Sequence, residues 1–229
     1  MFLYGYGPMI LAGSMHTIAL AALSLVTSVG IGLAGAAAKL SPSPTLVRIA
    51  TVYTTLVRSV PDLVIMLLLF FSIQIWLNRA TDLFGVDQIN IDPFSAGVLT
   101  LGFIYGAYFT ETFRGAFIAV PRGQLEAGAA YGMNPIQRFR RVLFPQMMRF
   151  ALPGIGNNWQ VLVKATALVS LLGLTDLVTA AQDAGKSTFN VLFFLCVAAA
   201  IYLAITSSSN LVLMWLERRY ARGVRKAQL

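Results

Sequence analysis

Charge, cysteine and histidine are all scarce in this chain of 229 residues. Charged residues make up 11% and hydrophobic residues 57%, whereas an ordinary soluble domain has about 25% and about 45–50%. This composition excludes a soluble protein. The single cysteine, Cys196, excludes an intrachain disulfide framework. The single histidine, His16, has no second histidine with which to bind a haem, and we expect it to be hydrogen-bonded inside the membrane.

The residue patterns of catalysis are missing as well. We find no nucleophile beside a base, no cluster of metal ligands and no paired carboxylates in a catalytic setting. Residues 185–188, Gly-Lys-Ser-Thr, look like the end of a phosphate-binding loop, but that loop needs a glycine where Ala180 stands. We therefore predict a chain that is not an enzyme and that holds no metal or cofactor, so that any ATP must be bound by a separate subunit.

Long apolar runs, by contrast, are abundant. Runs of about 20 apolar residues, the length of a membrane-spanning helix, lie near 9–38, 61–77, 94–109, 155–174 and 191–216. They predict an all-α membrane protein in which residues 1–229 form a single transmembrane domain with five spans. No Lys or Arg precedes the first run, so we expect it to stay as an uncleaved span and not to act as a signal peptide.

A short amphipathic helix is predicted between the first two runs. Residues 41–44, Ser-Pro-Ser-Pro, break the chain, and apolar residues then recur at helical spacing over about 45–58. We expect this helix to lie along the membrane surface. It should end before Pro61, because a proline disfavours the helical conformation of the residue that precedes it.

The charges of the loops predict which way the chain crosses the membrane. Connections 39–62 and 111–149 and the tail from 217 together carry fourteen positive and four negative charges, whereas the alternate connections carry two positive and five negative. Lysine and arginine are retained on the cytoplasmic side, so we expect the N-terminus outside and the C-terminus in the cytoplasm. Topology thus accounts for the net charge of +8, and we predict no nucleic-acid partner.

The third connection, residues 121–145, is built as more than a linker. Good helix formers occupy 126–131, Gly132 is expected to stop that helix, Asn134 can cap a second one, and Pro135 suits its first position. We therefore predict two short helices joined by a sharp turn. One side of the second helix is apolar, as expected of an element that docks into a groove of a partner; its residues are Ile136, Phe139, Val142 and Leu143.

This connection resembles the EAA loop of ATP-binding-cassette (ABC) importer permeases. The usual form is Glu-Ala-Ala, three residues, Gly, nine residues, Ile, any residue, Leu-Pro. The matching positions here are Glu126, Ala127, Gly128, Gly132, Val142 and Pro145. The chain departs from that form by having Gly128 for Ala, Val142 for Ile and Phe144 for Leu. In the family this loop is the coupling helix that sits in a cleft of the ATPase subunit.

Three further segments, 55–61, 108–115 and 164–168, resemble permeases for polar amino acids, with Ser59 replacing a glycine of the family pattern. Longer stretches are similar to the subgroup that carries histidine and cationic amino acids. The resemblance implies the type I importer permease fold, the bacterial inner membrane and transport by alternating access. It also implies two ATPase subunits that bind ATP and Mg²⁺, a second permease that is a homologue or another copy, a periplasmic amino-acid-binding protein, and contact with lipid.

Polar residues inside or beside the spans are the candidates for the substrate path, namely Arg58, Asp62, Asn157, Lys164, Thr166 and Ser170. Each has a structural alternative. Arg58 and Asp62 could form a local ion pair, Lys164 could reach the interface, and the other three could hold helices together. Glu111 and Arg114, three residues apart on a helix, are expected to form a surface ion pair.

A stand-alone carrier or channel driven by an ion gradient is the alternative function. Such a carrier would more often show paired half-repeats with broken helices at matching positions, and we find none in the sequence. A membrane anchor for an enzyme would need haem-ligating histidines or a catalytic cluster. The sequence leaves open which amino acid is carried, whether the permease pair is homodimeric or heterodimeric, and whether selectivity lies here or in the binding protein.

Overall fold

The computed structural model describes residues 2–85, 87 and 90–221, and this part of the chain is helical without any strand. Apart from short 3-10 and π turns, it forms nine α-helices: α1 (Gly7–Lys39), α2 (Pro44–Ser59), α3 (Asp62–Phe84), α4 (Pro93–Ile118), α5 (Arg122–Ala130), α6 (Pro135–Arg138), α7 (Phe144–Ala165), α8 (Leu177–Thr188) and α9 (Val191–Tyr220). The basic residues Arg222, Arg225 and Lys226 of the predicted cytoplasmic tail lie outside the described residues.

Three of the described helices, α1, α3 and α9, are long and apolar enough to cross a membrane. A fourth candidate is the helical stretch Pro135–Leu172 taken together with α8, which bends by 57° between the two parts. Helix α4 contains the predicted run 94–109 but is not among these candidates, and glycine, tyrosine and threonine interrupt its apolar residues. The all-helical prediction is confirmed, whereas the number of five spans stays a prediction.

Helix α4 lies at the centre of the fold, where it packs against α1, α2, α3 and α7. Its most extensive contact is with α1, and small residues bring the two backbones close together. A Cβ atom added at Gly32 would lie 2.5 Å from Cβ of Phe109, and one added at Gly102 would lie 2.5 Å from Cγ2 of Thr27. Close helix packing of this kind supports association in a bilayer, where apolar burial alone gives little driving force.

Helices α2 and α3 meet at an elbow. Helix α2 covers the residues of the predicted amphipathic helix. Val60 is extended, with φ −108° and ψ 141°, and the chain takes a new direction at Pro61, as the sequence predicts. Helices α3 and α4 both continue past the predicted ends of their apolar runs, at 77 and 109. The apolar run ends at the first polar residues, whereas the helix itself continues through them.

The fourth predicted run, 155–174, differs most from the structure. Helix α7 begins well before it, at Phe144, and gives way at Thr166 to a 3-10 turn that ends at Leu172. Gly173 follows with a φ of +88°, and the Asp176 side chain then caps α8 by accepting a hydrogen bond from the Thr179 amide at 2.9 Å. The run is therefore a helix that changes type and direction near its predicted end.

Two smaller expectations concern α1 and α8. Nδ1 of His16 lies 3.0 Å from the carbonyl oxygen of Thr175, so the lone histidine has the hydrogen-bond partner that we expected. Residues 185–188 form the last turn of α8, which is not the strand-to-helix setting of a phosphate-binding loop.

Candidate coupling site

Residues 121–145 begin with α5, whose end has the predicted geometry. Gly132 has a φ of +74°, a left-handed conformation that glycine adopts without strain. Two amide hydrogen bonds close the turn, from Gly132 to the carbonyl of Ala129 at 2.9 Å and from Met133 to that of Gly128 at 3.1 Å. These bonds satisfy carbonyl groups that the helix end would otherwise leave unpaired. The sharp turn is confirmed.

The start of the following helix is also as predicted. The side chain of Asn134 accepts a hydrogen bond from the Gln137 amide at 2.8 Å, and the Gln137 side chain accepts one from the Asn134 amide at 3.1 Å. This reciprocal capping box, with Pro135 in the first turn, is a strong local signal for a helix start.

The prediction of two short helices is wrong for the second one. Helix α6 continues through a π turn, Phe139–Leu143, directly into α7. Pro145 gives the physical reason. It has no N–H to donate to the carbonyl four residues earlier, and its ring would clash there, so the preceding turn widens and the Phe144 amide donates to the carbonyl of Phe139. The turn 131–134 therefore leads into a long helix.

Within this segment, α5 contacts the helix that begins at Pro135. The contact lies at Gly128, which is buried. A Cβ atom built on Gly128 would lie 3.4 Å from Cγ of Arg138 and 3.6 Å from Cγ2 of Val142, so two of the motif positions are brought together. Glu126 and Ala127, on the same helix, are exposed. The contact between the two helices thus leaves Glu126, the acidic residue of the motif, uncovered and able to contact a partner.

Apolar and positively charged side chains are exposed at the tip of the segment. Tyr131 is 87% exposed and Ile136 is 72% exposed. A cavity of about 310 Å³ lies beside Ile136 and is also lined by Gln137, Arg140 and Arg141. Such a surface suits binding of a protein groove that is apolar with acidic groups at its rim.

Arg58 and Asp62, at the elbow between α2 and α3, do not form the predicted alternative of a local ion pair in the described part of the chain. The guanidinium of Arg58 instead lies over the Tyr108 ring, 5.5 Å from its centroid. Asp62 accepts a hydrogen bond from the Tyr105 hydroxyl at 3.0 Å. Both elbow residues therefore contact the same face of α4.

The other four path candidates lie on α7 and the 3-10 turn. Asn157 and Lys164 are exposed and seven residues apart, two helical turns on one face. The Thr166 hydroxyl is buried, donates to the carbonyl of Val163 at 2.7 Å and lies 3.4 Å from the Tyr202 hydroxyl. Ser170 donates to the carbonyl of Ala167. No hydrogen bond or ion pair among the described residues joins this group to the elbow residues.

The ion pair of Glu111 with Arg114 is confirmed, and the structure adds a partner that the sequence reasoning missed. Oε2 of Glu111 accepts from Nε of Arg114 at 2.9 Å, while Oε1 pairs with the ammonium of Lys39 at the end of α1. Lys39 also donates to Oγ1 of Thr54 on α2 at 2.6 Å. We call these four residues the Glu111 cluster. Lys39 and Glu111 stand near the same end of two apolar runs, which is the signal that could have paired them.

Comparison with known proteins decides the family. Residues 28–226 match the family described as "Binding-protein-dependent transport system inner membrane component". The chain belongs to this family. It is accordingly an inner-membrane permease component of a transport system, as the EAA-loop resemblance implied, and the family agrees with a transport subunit that is not itself an enzyme.

Curated members of the family match over the whole chain. The histidine/lysine/arginine/ornithine transport system permease protein HisQ of Salmonella typhimurium is 60% identical over 99% of this chain and 100% of its own length. HisQ of Escherichia coli is 59% identical over the same shares. The octopine transport system permease protein OccQ of Rhizobium radiobacter is 39% identical over 97% of this chain and 94% of its own.

Solved structures give the same fold. An amino-acid ABC transporter crystallised with histidines matches with a TM-score of 0.77 and 32% identity, covering 93% of this chain and 95% of that one. An inward-facing form of the MetNI methionine ABC transporter matches with a TM-score of 0.67 at 18% identity, over 92% and 97% of the two chains, which shows the fold alone. This permease therefore has the type I ABC permease fold.

Proposed function

We propose that this permease carries histidine, lysine, arginine and ornithine into the cell, by alternating access driven by separate ATPase subunits. The observation that supports this proposal is the 60% identity to a permease named for those four substrates, over the full length of both chains. The predicted external loops, with five negative and two positive charges, would favour the approach of a cationic substrate.

The proposed complex contains two ATPase subunits, a second permease and a periplasmic binding protein. The second permease is a homologue or another copy of this chain. ATP and Mg²⁺ are bound by the ATPase subunits, and the permease itself needs no cofactor. The description of the family as binding-protein-dependent supports the binding protein.

We infer that residues 121–145 dock into the ATPase. The residues of the EAA pattern carry the role: Glu126, Ala127, Gly128, Gly132, Val142 and Pro145. Exposure of Tyr131 and Ile136 supports the inference, because large apolar side chains left uncovered on a cytoplasmic loop mark an interaction surface. Closure of the ATPase subunits would then bias which side of the membrane the permease pair opens to.

We also propose five membrane spans, with the N-terminus outside, the C-terminus in the cytoplasm and α2 along the inner surface. The opposite charges of the alternate connections support this arrangement. In it, segment 121–145 lies on the cytoplasmic side, where an ATPase could bind it.

We propose that all six candidate residues contribute to the substrate path, and that their roles differ with what their side chains contact. Asn157 and Lys164 have free, exposed polar ends on one face of α7 and could bind the carboxylate of an amino acid. Arg58 and Asp62 would line the inner mouth. Thr166 and Ser170 already donate to backbone carbonyls, so their proposed contribution is to the shape of the path.

The experiment is uptake by proteoliposomes that contain the permease purified with its co-expressed partner subunits and supplied with binding protein. Labelled histidine, lysine, arginine and ornithine should accumulate when ATP is present inside with the ATPase, and each should compete with the others. A neutral amino acid such as leucine is the control and should not compete. Uptake that is unchanged when ATP is omitted would overturn the proposal.

A further inference from the structure

We propose that Glu111 is a positioning residue that, through its ion pair with Lys39, holds the cytoplasmic ends of α1 and α4 and the middle of α2 together, so that they move as one body with segment 121–145. The inference rests on the proposed coupling function of that segment. It assigns to the Glu111 cluster the transmission of movement from the docking segment to the membrane helices.

The cluster joins three helices at the Lys39 ammonium, which pairs with Glu111 of α4 and donates a hydrogen bond to Thr54 of α2. Each oxygen of Glu111 has its own cation, Lys39 from α1 and Arg114 from α4 itself. Lys39 is the last residue of α1, and its second hydrogen bond, to Thr54, brings in α2. The Lys39 side chain thus connects α1 to the next helix, α2, and to α4, whose Glu111 is 72 residues away in the sequence.

Burial makes these contacts hard to replace. The side chains of Lys39 and Glu111 are only 9% and 19% exposed, so water substitutes poorly for either partner. The helices around them are packed tightly, since even a methyl group at Gly35 would collide with the side chain of Thr110. Within residues 2–85, 87 and 90–221, the ion pairs within 4.0 Å are the two made by Glu111.

The connection from the cluster to segment 121–145 is short, since only residues 119–121 separate α4 from α5. Helix α4 continues for about two turns beyond Glu111. The Ala119 amide then donates to the carbonyl of Gly115 at 3.0 Å, and the Gln124 amide donates to that of Pro121 at 3.1 Å. Val120, between them, is buried. A link of three residues limits how far α5 can move without displacing α4.

Other contacts of α4 lie about one and two helical turns before Glu111. Tyr105, Tyr108 and Glu111 are spaced by three residues, and the two tyrosine rings stack with centroids 5.6 Å apart. They contact Asp62 and Arg58 at the elbow. The two tyrosines therefore give a second set of contacts through which a movement of α4 would reach α2 and the start of α3.

The test compares the number of ATP molecules hydrolysed per amino acid imported, in proteoliposomes with equal amounts of assembled complex. Glu111→Gln and Lys39→Met should raise this ratio by about fivefold or more, the lower range of coupling between sites. Lys39→Arg keeps the ion pair and should keep the ratio near that of the wild type. Arg48→Gln removes an exposed cation of α2 outside the cluster and is the matched control.

An unchanged ratio in assembled Glu111→Gln and Lys39→Met, or an equal rise in Arg48→Gln, overturns the inference. If the ion-pair variants do not assemble, Thr54→Val decides, because it keeps the ion pair and removes only the link to α2. It should raise the ratio by a smaller factor, and an unchanged ratio counts against the inference. If the proposed function itself is wrong, the result is different: the wild-type complex shows no ATP-driven uptake.

Discussion

At the scale of single residues, Gly128 and Gly132 are glycines for different reasons. Gly132 has a positive φ that an L side chain adopts only with strain. Gly128 lies inside a regular helix, at a position where the usual EAA pattern has alanine, and the space around it would hold a methyl group in ordinary van der Waals contact. The first glycine is required by the turn, whereas the second only lowers the stability of α5.

Gly128→Ala should therefore stabilise the permease. Glycine in a helix interior costs about 0.5–1 kcal/mol relative to alanine, which corresponds to a rise in melting temperature of roughly 1–4 °C for a chain of this size. Thermal unfolding of the purified permease in detergent measures the change. Gly154→Ala is the matched control and should lower the melting temperature, because its Cβ atom would lie 2.7 Å from Cγ2 of Thr112. Equal losses of stability in both variants would show that the space at Gly128 is misjudged.

At the scale of helices, the sequence predicts best where the determinants are local. Pro61 sets the elbow between α2 and α3, and Asn134 with Gln137 sets the start of α6, because the interacting groups lie within a few residues. The continuous path of α6 into α7 does not follow from the local pattern, because a proline such as Pro145 is typical of a break and not of a continuing helix. Lys39 and Glu111 stand near the same end of two apolar runs, but their pairing also requires that α1 pack on α4, which no local pattern shows.

The proposed topology places α8 outside and α5 in the cytoplasm, which cysteine labelling can test. Cys196 is first replaced by alanine, because the thiol of the native protein is exposed. A cysteine is then placed in α8 by Ser187→Cys or in α5 by Gln124→Cys, both at exposed positions. An impermeant maleimide added to spheroplasts should label the first variant, and should label the second only after the membrane is permeabilised. Labelling of both from the same side would contradict the proposed topology.

At the scale of the whole molecule, the family was predictable from a few spaced residues because the motif in 121–145 is specific to one kind of permease. The number of spans was less predictable, since α4 is interrupted by glycine and tyrosine and the stretch from Pro135 to Thr188 bends by 57°. The substrate path could not be derived, because Arg58 and Asp62 contact α4 while Asn157 and Lys164 lie on α7, and a second permease would complete the space between them.

The central claim, that segment 121–145 couples an ATPase to transport, is tested most directly by ATP-driven uptake of Gly132→Asp in the assembled complex. An added Cβ meets no atom within 4 Å at Gly132 or at Gly123, but only Gly132 has a positive φ, so Gly123→Asp is the matched control. We predict that Gly132→Asp inserts normally and loses roughly tenfold or more of its uptake, since coupling between sites amounts to about 1–3 kcal/mol, while Gly123→Asp stays near the wild type. Wild-type uptake by inserted and assembled Gly132→Asp, or uptake that persists without the ATPase, would contradict the claim.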